Sequence, residues 1–278
     1  MNKRETASIC DQYGIIAKKR FSQNFLCNSL FTEKIIDSAG ILQSDFVLEI
    51  GPGTGALTEH LCQLASKVTA VEIDAELVSL LNSRFSCNDN LYVIAGDYLK
   101  LERNSMFMLS EYPSVIVSNL PYNVTTPMII KLIADFPESR TMVFMIEEDA
   151  CDRLFACPGE KAYGILSVIT SSYGEKGKLF LVDSDSFYPA PHTRSAVIRL
   201  VKSTSISVSD AYIQFVKDAF SRRRKTLLNS LSFFPRNELA VKCIPDILDG
   251  MNISKNVRAE ALTPKELIEI FTILEHNK

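Results

Sequence analysis

Short apolar runs and longer amphipathic stretches alternate along most of this chain. Phe46-Val-Leu-Glu-Ile50, Val68-Thr-Ala-Val-Glu-Ile73, Leu91-Tyr-Val-Ile-Ala95, Val115-Ile-Val117 and Met142-Val-Phe-Met-Ile146 are apolar at nearly every position and rich in β-branched residues. Such runs read as strands buried on both faces. Between them, residues 56–66, 75–85, 126–136 and 148–155 place apolar side chains at helical spacing. Strands alternating with helices predict βαβ units around a parallel sheet. Leu179–Val182 and Ala196–Val201 would complete that sheet as an antiparallel edge.

The pattern then changes. Lys202-Ser-Thr-Ser-Ile-Ser-Val-Ser209 is polar and serine-rich, which predicts a linker, and beyond it the spacing is helical throughout. One helix is predicted from near Asp210 to about Ser232, stopped by Pro235. Another opens at Thr263-Pro-Lys-Glu266, with Thr as N-cap, Pro at the first helical position and Glu at the third. The expected organisation is an α/β domain over residues 1–203, including a basic N-terminal arm, and a small all-helical domain over residues 204–278.

At 278 residues, 46% hydrophobic and 23% charged, the chain has the composition of an ordinary globular protein and needs no metal or disulfide to build a core. Its seven cysteines form no C-x-x-C pair, and its three histidines (60, 192 and 276) give no zinc-ligand spacing, so no metal is expected. An odd cysteine count without a secretory leader predicts reduced thiols and a cytoplasmic location. No apolar run approaches membrane-spanning length, so no membrane partner is expected either, and the chain is expected to be a monomer.

Charge adds one thing. The net value is −3, yet residues 1–24 and residues 210–232 each carry +3, leaving −9 for the rest. Two basic islands on an acidic body suit a protein that touches a polyanion at chosen places, although a solvated helix face gives the same pattern.

Candidate chemistry gathers at the ends of the predicted strands. The first runs into Glu49-Ile-Gly51-Pro-Gly53-Thr-Gly55, where alternate glycines allow a tight turn and a close backbone approach to a ligand. Glu72 ends the second strand, where an acid can accept from both hydroxyls of a ribose. Asp97, in Ala95-Gly-Asp-Tyr98, follows the third and can reach an adenine edge. An adenosine-containing cofactor is expected, and up to this point NAD and S-adenosylmethionine fit equally. The fourth strand separates them. It ends in Asn119-Leu120-Pro121-Tyr122: an amide, a carbonyl beside proline and an aromatic ring. That set suits a flat heterocycle with an exocyclic amine, stacked on Tyr122 while Asn119 and the Pro121 backbone carbonyl accept the amine protons. Hydride transfer asks for a proton donor or acceptor facing a carbonyl. Methyl transfer to an amine asks for acceptors that stabilise the positive charge developing on nitrogen.

At these residues the chain resembles the ribosomal RNA adenine N6,N6-dimethyltransferases, and among them the small-subunit type. The resemblance also covers Lys18-Lys-Arg-Phe-Ser-Gln-Asn-Phe-Leu26, Val71-Glu-Ile-Asp74, Pro158–Val168, Phe187-Tyr-Pro-Ala-Pro191, Ser195-Ala-Val197 and Phe220–Leu231. It implies a Rossmann-like S-adenosylmethionine-dependent methyltransferase sheet with a helical RNA-binding domain. The implied substrate is a pair of adjacent adenosines in a hairpin loop near the 3′ end of small-subunit rRNA, each methylated twice within an immature subunit. By the same resemblance, Asn24 and Leu26 would close over the cofactor with Gly51, in a turn where Gly53 and Gly55 are also expected to bind it. Glu72 would hold its ribose, Asp97 its adenine, and Asn119 would stand between cofactor and target. Phe187 would supply a second aromatic face to the target base. Arg222, Arg223, Arg224 and Lys225, on the helix that opens the second domain, would bind RNA phosphates, with Lys18, Lys19 and Arg20 as a second contact.

Three stretches depart from the family pattern. Ser22 stands where glycine is common. His192-Thr-Arg194 replaces a Lys-Val-Asp type stretch. Glu147-Glu148-Asp149 is more acidic than the usual Gln-Lys-Glu. Two rival readings share most of these residues: a large-subunit rRNA methyltransferase of the macrolide-resistance type, and a ribosome-assembly factor whose catalysis is secondary. An NAD oxidoreductase lacks an acid for the hydride site.

Overall fold

The apolar runs are strands in the computed structural model, which describes residues 1–103, 112–203 and 208–276. Helix Lys3–Tyr13 (α1), the two-residue strand Phe25–Leu26 (β1) and helix Ser29–Ala39 (α2) come first. Strands and helices then alternate: Phe46–Ile50 (β2), Thr58–Leu64 (α3), Lys67–Glu72 (β3), Ala75–Arg84 (α4), Leu91–Ala95 (β4), Val115–Asn119 (β5), Thr125–Asp135 (α5) and Thr141–Glu147 (β6). Glu148–Phe155 (α6), Ile165–Tyr173 (α7), Gly174–Val182 (β7), Phe187–Tyr188 (β8) and Ser195–Lys202 (β9) follow.

Seven strands form one sheet in the order β4-β3-β2-β5-β6-β9-β7. From β4 to β6 the pairing is parallel, with Glu49 of β2 opposite Ala70 on one side and Val117 on the other. β9 runs antiparallel to β6, with Val197 opposite Met145. Val47, Leu48, Val68, Ala70, Ile116 and Val143 have no exposed surface, because helices cover both faces, as the uninterrupted apolar runs demand. The chain crosses from β2 to β3 on one side and returns to β5 on the other. The loops after β2 and β5 therefore diverge and leave a crevice at their carboxyl ends. The expected linker lies partly outside the described residues, at 204–207. Among the described residues, no helix is long and apolar enough to cross a membrane.

The chain divides into two compact units, residues 1–151 with 176–202, and residues 152–175 with 203–278. A division at 203/204 differs from this because the helical unit also takes in 152–175. In that unit Tyr163 donates to the Leu262 carbonyl at 2.8 Å, its ring meets Phe220 edge-on at 5.9 Å, and Ser172 shares a 2.9 Å hydrogen bond with Tyr212. Contacts so distant in sequence leave no local signal.

The predicted helix 210–232 is two helices, Asp210–Phe220 (α8) and Leu227–Leu231 (α9), followed by Glu238–Gly250 (α10) and Pro264–His276 (α11). The break needs neither glycine nor proline. Ser221 Oγ bonds back to the Asp218 carbonyl at 2.7 Å, Thr226 caps α9, and the Leu227 amide leaves its helix register to donate to Val257 at 2.8 Å. Phe220, Leu227 and Leu231 are buried as expected. The capping box at α11 also forms, with the Thr263 amide donating to Glu266 at 2.7 Å and the Glu266 amide to Thr263 Oγ1 at 3.2 Å.

Candidate active site at the carboxyl ends of the strands

Gly51, Gly53 and Gly55 all have positive φ (67°, 58° and 87°), which is why this turn is written in glycine. A Cβ on Gly51 would lie 3.7 Å from the Asn119 carbonyl, so the loop after β2 and the corner after β5 meet. A Cβ on Gly53 would touch the Phe25 ring at 3.0 Å. Gly55 departs from its expected role. It does not line the cavity; a Cβ there would lie 2.5 Å from the Phe85 ring, so this glycine serves packing between the loop and the end of α4.

Glu72 is 4% exposed and turned toward the loop, its carboxylate accepting from the Gly53 amide at 3.2 Å and the Asp74 amide at 3.0 Å. Burial pushes its pKa up, and the backbone donors oppose that shift. Glu49 also belongs to this wall. It is 1% exposed, accepts from Thr58 Oγ1 at 2.7 Å, and is pushed by burial up to about 8. Its signal was visible all along: one charged residue inside a five-residue apolar strand. Asp97 sits in the same wall and caps the following turn, accepting from the Leu99 amide at 3.1 Å.

The segment from Lys18 to Leu26 lies against these loops. Asp74, the N-cap of α4, accepts from Lys18 Nζ at 2.7 Å and Gln23 Nε2 at 2.9 Å, and these bonds hold its carboxyl below the usual range against burial. Glu76 adds a second carboxylate to Lys18 at 2.9 Å. Lys18 is thus an internal clamp, whereas Lys19 and Arg20 remain exposed. Ser22 has φ 50° and ψ 38°, the left-handed region that glycine enters freely, so serine carries a local cost there of about 1 kcal/mol. Asn24 and Leu26 both face the cavity, and β1 pairs with β8, Leu26 opposite Phe187.

At the far wall, Ser118 Oγ donates to the Ile50 carbonyl at 2.6 Å and ties β5 to β2. Asn119 Nδ2 donates to the Asn24 carbonyl at 3.1 Å, which commits the amide nitrogen and leaves Oδ1 as the acceptor of this side chain. The Pro121 carbonyl is not available as expected, because it accepts from the Val124 amide and from Thr125 Oγ1, both at 3.2 Å, in closing the turn. Tyr122 is half-buried along the cavity, its phenol 2.6 Å from Ser195 Oγ. Phe187 does not supply the second aromatic face. Its ring has no exposed surface, packs in the core with Leu26, Ile35 and Val197, and is absent from the cavity wall.

In the helical unit, Arg222, Arg223, Arg224 and Lys225 are all exposed, in the turn between α8 and α9 and not on a helix. Arg223 pairs with Glu260 at 3.1 Å, and the Arg222 guanidinium stacks 3.4 Å from the centre of the Phe233 ring. The departures at 147–149 and 192–194 turn out to be one feature. Arg194 forms a two-pronged contact with Glu148 (3.1 and 3.2 Å), and Thr193 donates to Glu147 at 3.1 Å. Glu148 and Arg194 thus join the two departing stretches by an ion pair.

Asn24, Leu26, Gly51, Gly53, Glu72, Asp97, Asn119, Pro121 and Tyr122 line one cavity of about 370 Å³. Thr54 belongs to the same wall, 1% exposed, and its Oγ1 is buried without a hydrogen-bond partner among the described residues. An unmet hydroxyl beside the buried Glu72 carboxylate fits a polar, hydroxyl-bearing, cationic ligand, as S-adenosylmethionine is.

A family model described as ribosomal RNA adenine dimethylase matches residues 15–270. The ribosomal RNA small subunit methyltransferase A of Leuconostoc citreum is 38% identical over 99% of this chain and 95% of that protein. A dimethyladenosine transferase from Plasmodium falciparum superposes with a TM-score of 0.73 at 27% identity, over 91% of this chain and 98% of that one. The 23S rRNA methyltransferase ErmE shares the fold, at 24% identity and a TM-score of 0.63, over 91% of this chain and all of that one.

Proposed function

We propose, because this chain belongs to the ribosomal RNA adenine dimethylase family, that it dimethylates N6 of two adjacent adenosines in a hairpin loop near the 3′ end of small-subunit rRNA. Membership makes it an S-adenosylmethionine-dependent rRNA adenine methyltransferase. One observation carries the site assignment: the glycine loop and the Asn119–Tyr122 corner open into a single cavity, with Gly51 and Asn119 in contact distance.

Glu72 holds the ribose hydroxyls in this reading, Asp97 the adenine amine, and Thr54 and Glu49 the polar end of the cofactor. Bound there, S-adenosylmethionine supplies an electrophilic methyl group on a sulfonium. Asn119 Oδ1 accepts one proton of the target amine. Leu120 belongs to the same wall, and its backbone carbonyl is the acceptor in this reading, in place of Pro121. Two acceptors draw the nitrogen lone pair out of conjugation and stabilise the charge that develops on nitrogen. Tyr122 stacks on the base and sets its plane. No anion develops, so the chemistry gives a metal nothing to do. A loop substrate suits the cavity, since unpaired bases splay out at low unstacking cost.

The partner in this reading is rRNA within an immature small subunit, met in the cytoplasm by a monomer, with phosphate contacts from Lys19, Arg20 and the Arg222–Lys225 turn. The test is mass spectrometry of nucleosides from under-methylated small subunits incubated with the protein and labelled S-adenosylmethionine. N6,N6-dimethyladenosine in small-subunit rRNA is expected, and Asn119→Ala should lose about 10²-fold or more in rate. Label confined to large-subunit rRNA would overturn the substrate. Normal subunit maturation with Asn119→Ala would make catalysis secondary to assembly.

A further inference from the structure

Tyr122 is anchored at both ends. Its backbone follows Pro121, whose φ is −59°, and enters a one-turn helix, after which Thr125 Oγ1 shares its one proton between the Pro121 and Tyr122 carbonyls at 3.2 and 3.3 Å. Its phenol, at the other end, lies 2.6 Å from Ser195 Oγ. Ser195 is fully buried and opens β9, directly opposite Glu147 at the end of β6. β6 lies between β5 and β9, so this hydrogen bond reaches over a strand end and braces the aromatic ring against a strand two places away. Burial keeps the phenol pKa up, and its hydrogen bond is already committed, so Tyr122 is not the proton acceptor for the target amine.

We propose that Ser195 is a positioning residue for the target base: by holding the Tyr122 phenol it fixes the tip of the stacking ring and so the place of the ring in the cavity, and the second methyl transfer depends on it more than the first. This rests on the adenine-dimethylation reading above. In each transfer the N6 lone pair forms the new N–C bond, the C–S pair returns to sulfur to leave S-adenosylhomocysteine, and a proton passes from nitrogen to water. Before the first transfer the amine has two N–H groups, one for Asn119 Oδ1 and one for the corner carbonyl. Before the second it has one, so one orienting hydrogen bond is gone. Stacking must then set the orientation of the base. A ring free to swing away from the base costs most at that step.

The experiment compares wild type, Ser195→Ala, Tyr122→Phe, the double variant and Ser195→Thr in single-turnover reactions on under-methylated small subunits. Monomethyl- and dimethyladenosine are quantified by mass spectrometry. Ser195→Ala and Tyr122→Phe should each slow the second transfer by about tenfold, with a smaller effect on the first, so that monomethyladenosine accumulates. The double variant should be no worse than either single one, and Ser195→Thr, which keeps the hydroxyl, should restore the wild-type product ratio. Without cofactor, an RNA hairpin bearing 2-aminopurine at the target position should be quenched less by Ser195→Ala than by wild type at equal occupancy. S-adenosylmethionine affinity should stay at its wild-type value, and the melting temperature should fall by no more than the loss of one buried hydrogen bond accounts for. A wild-type product ratio for Ser195→Ala, or effects of the two single variants that multiply, would overturn the proposal while leaving the dimethylation reading intact. Absence of any methylated adenosine with wild type would remove that reading, and this proposal with it.

Discussion

Glu49 shows how much a single side chain can owe to its burial. It is the one charged residue of a fully buried strand, and its pKa stands near 8 against an ordinary value of 4.5. Between about pH 4.5 and 8 the folded protein keeps this proton while the unfolded chain has lost it. Unfolding then releases a proton, so stability falls as pH rises through that window, by on the order of a few kcal/mol in total. Glu49→Gln should abolish this slope. The melting temperature of the variant, measured without cofactor, should gain on that of the wild type steadily from pH 5 to pH 8. Parallel curves would mean that Glu49 is ionised in the folded protein. Residue identity was legible here, since an acid in Phe46-Val-Leu-Glu-Ile50 is conspicuous. Its protonation state was not, because that depends on what covers it from either side. Phe187 is the opposite case. Its motif placed it near the target base, yet the register of β1 with β8 turns the ring into the core.

At the scale of elements, the glycine turn separates two jobs that look alike in sequence. Gly51 and Gly53 face the cavity, whereas Gly55 leaves room for Phe85 at the end of α4. Gly55→Ala combines a left-handed backbone with a 2.5 Å clash against that ring. A loss of about 2–4 kcal/mol in urea unfolding is expected. Adding Phe85→Leu should return part of it, the remainder being the cost of the dihedral angle. A Gly55→Ala protein as stable as wild type would contradict the packing role. The helix expected over 210–232 breaks at 221–226 by the same kind of non-local cause. Nothing local stops a helix there until the Val257 carbonyl takes the Leu227 amide, Thr226 caps the new turn and Ser221 Oγ bonds back to Asp218.

Over the whole molecule, the two basic islands are not uniform. Lys18 is spent on Asp74 and Glu76, and Arg223 on Glu260, while Arg224 and Lys225 are exposed without such a pair among the described residues. Counterion release therefore assigns the RNA salt dependence unequally. Arg224→Ala and Lys225→Ala should each lower the slope of log affinity against log salt by nearly one, and Arg223→Ala by less, with S-adenosylmethionine affinity unchanged. Equal slopes for all three would show that the Glu260 pair opens on binding.

Amino-acid order alone determined the strand and helix alternation, the place of the cofactor loop, the acids at the strand ends and the amide–aromatic corner, because each is written in neighbours a few residues apart. Tertiary structure alone decided which of those groups remain free to act. Pro121 closes a turn, Phe187 fills a core, Lys18 clamps an acid, and Ser195, an ordinary strand residue in sequence, reaches Tyr122 across 73 positions. The reason is physical. A side chain's type follows from its codon, but its partners, burial and charge state follow from chain segments that meet only after folding.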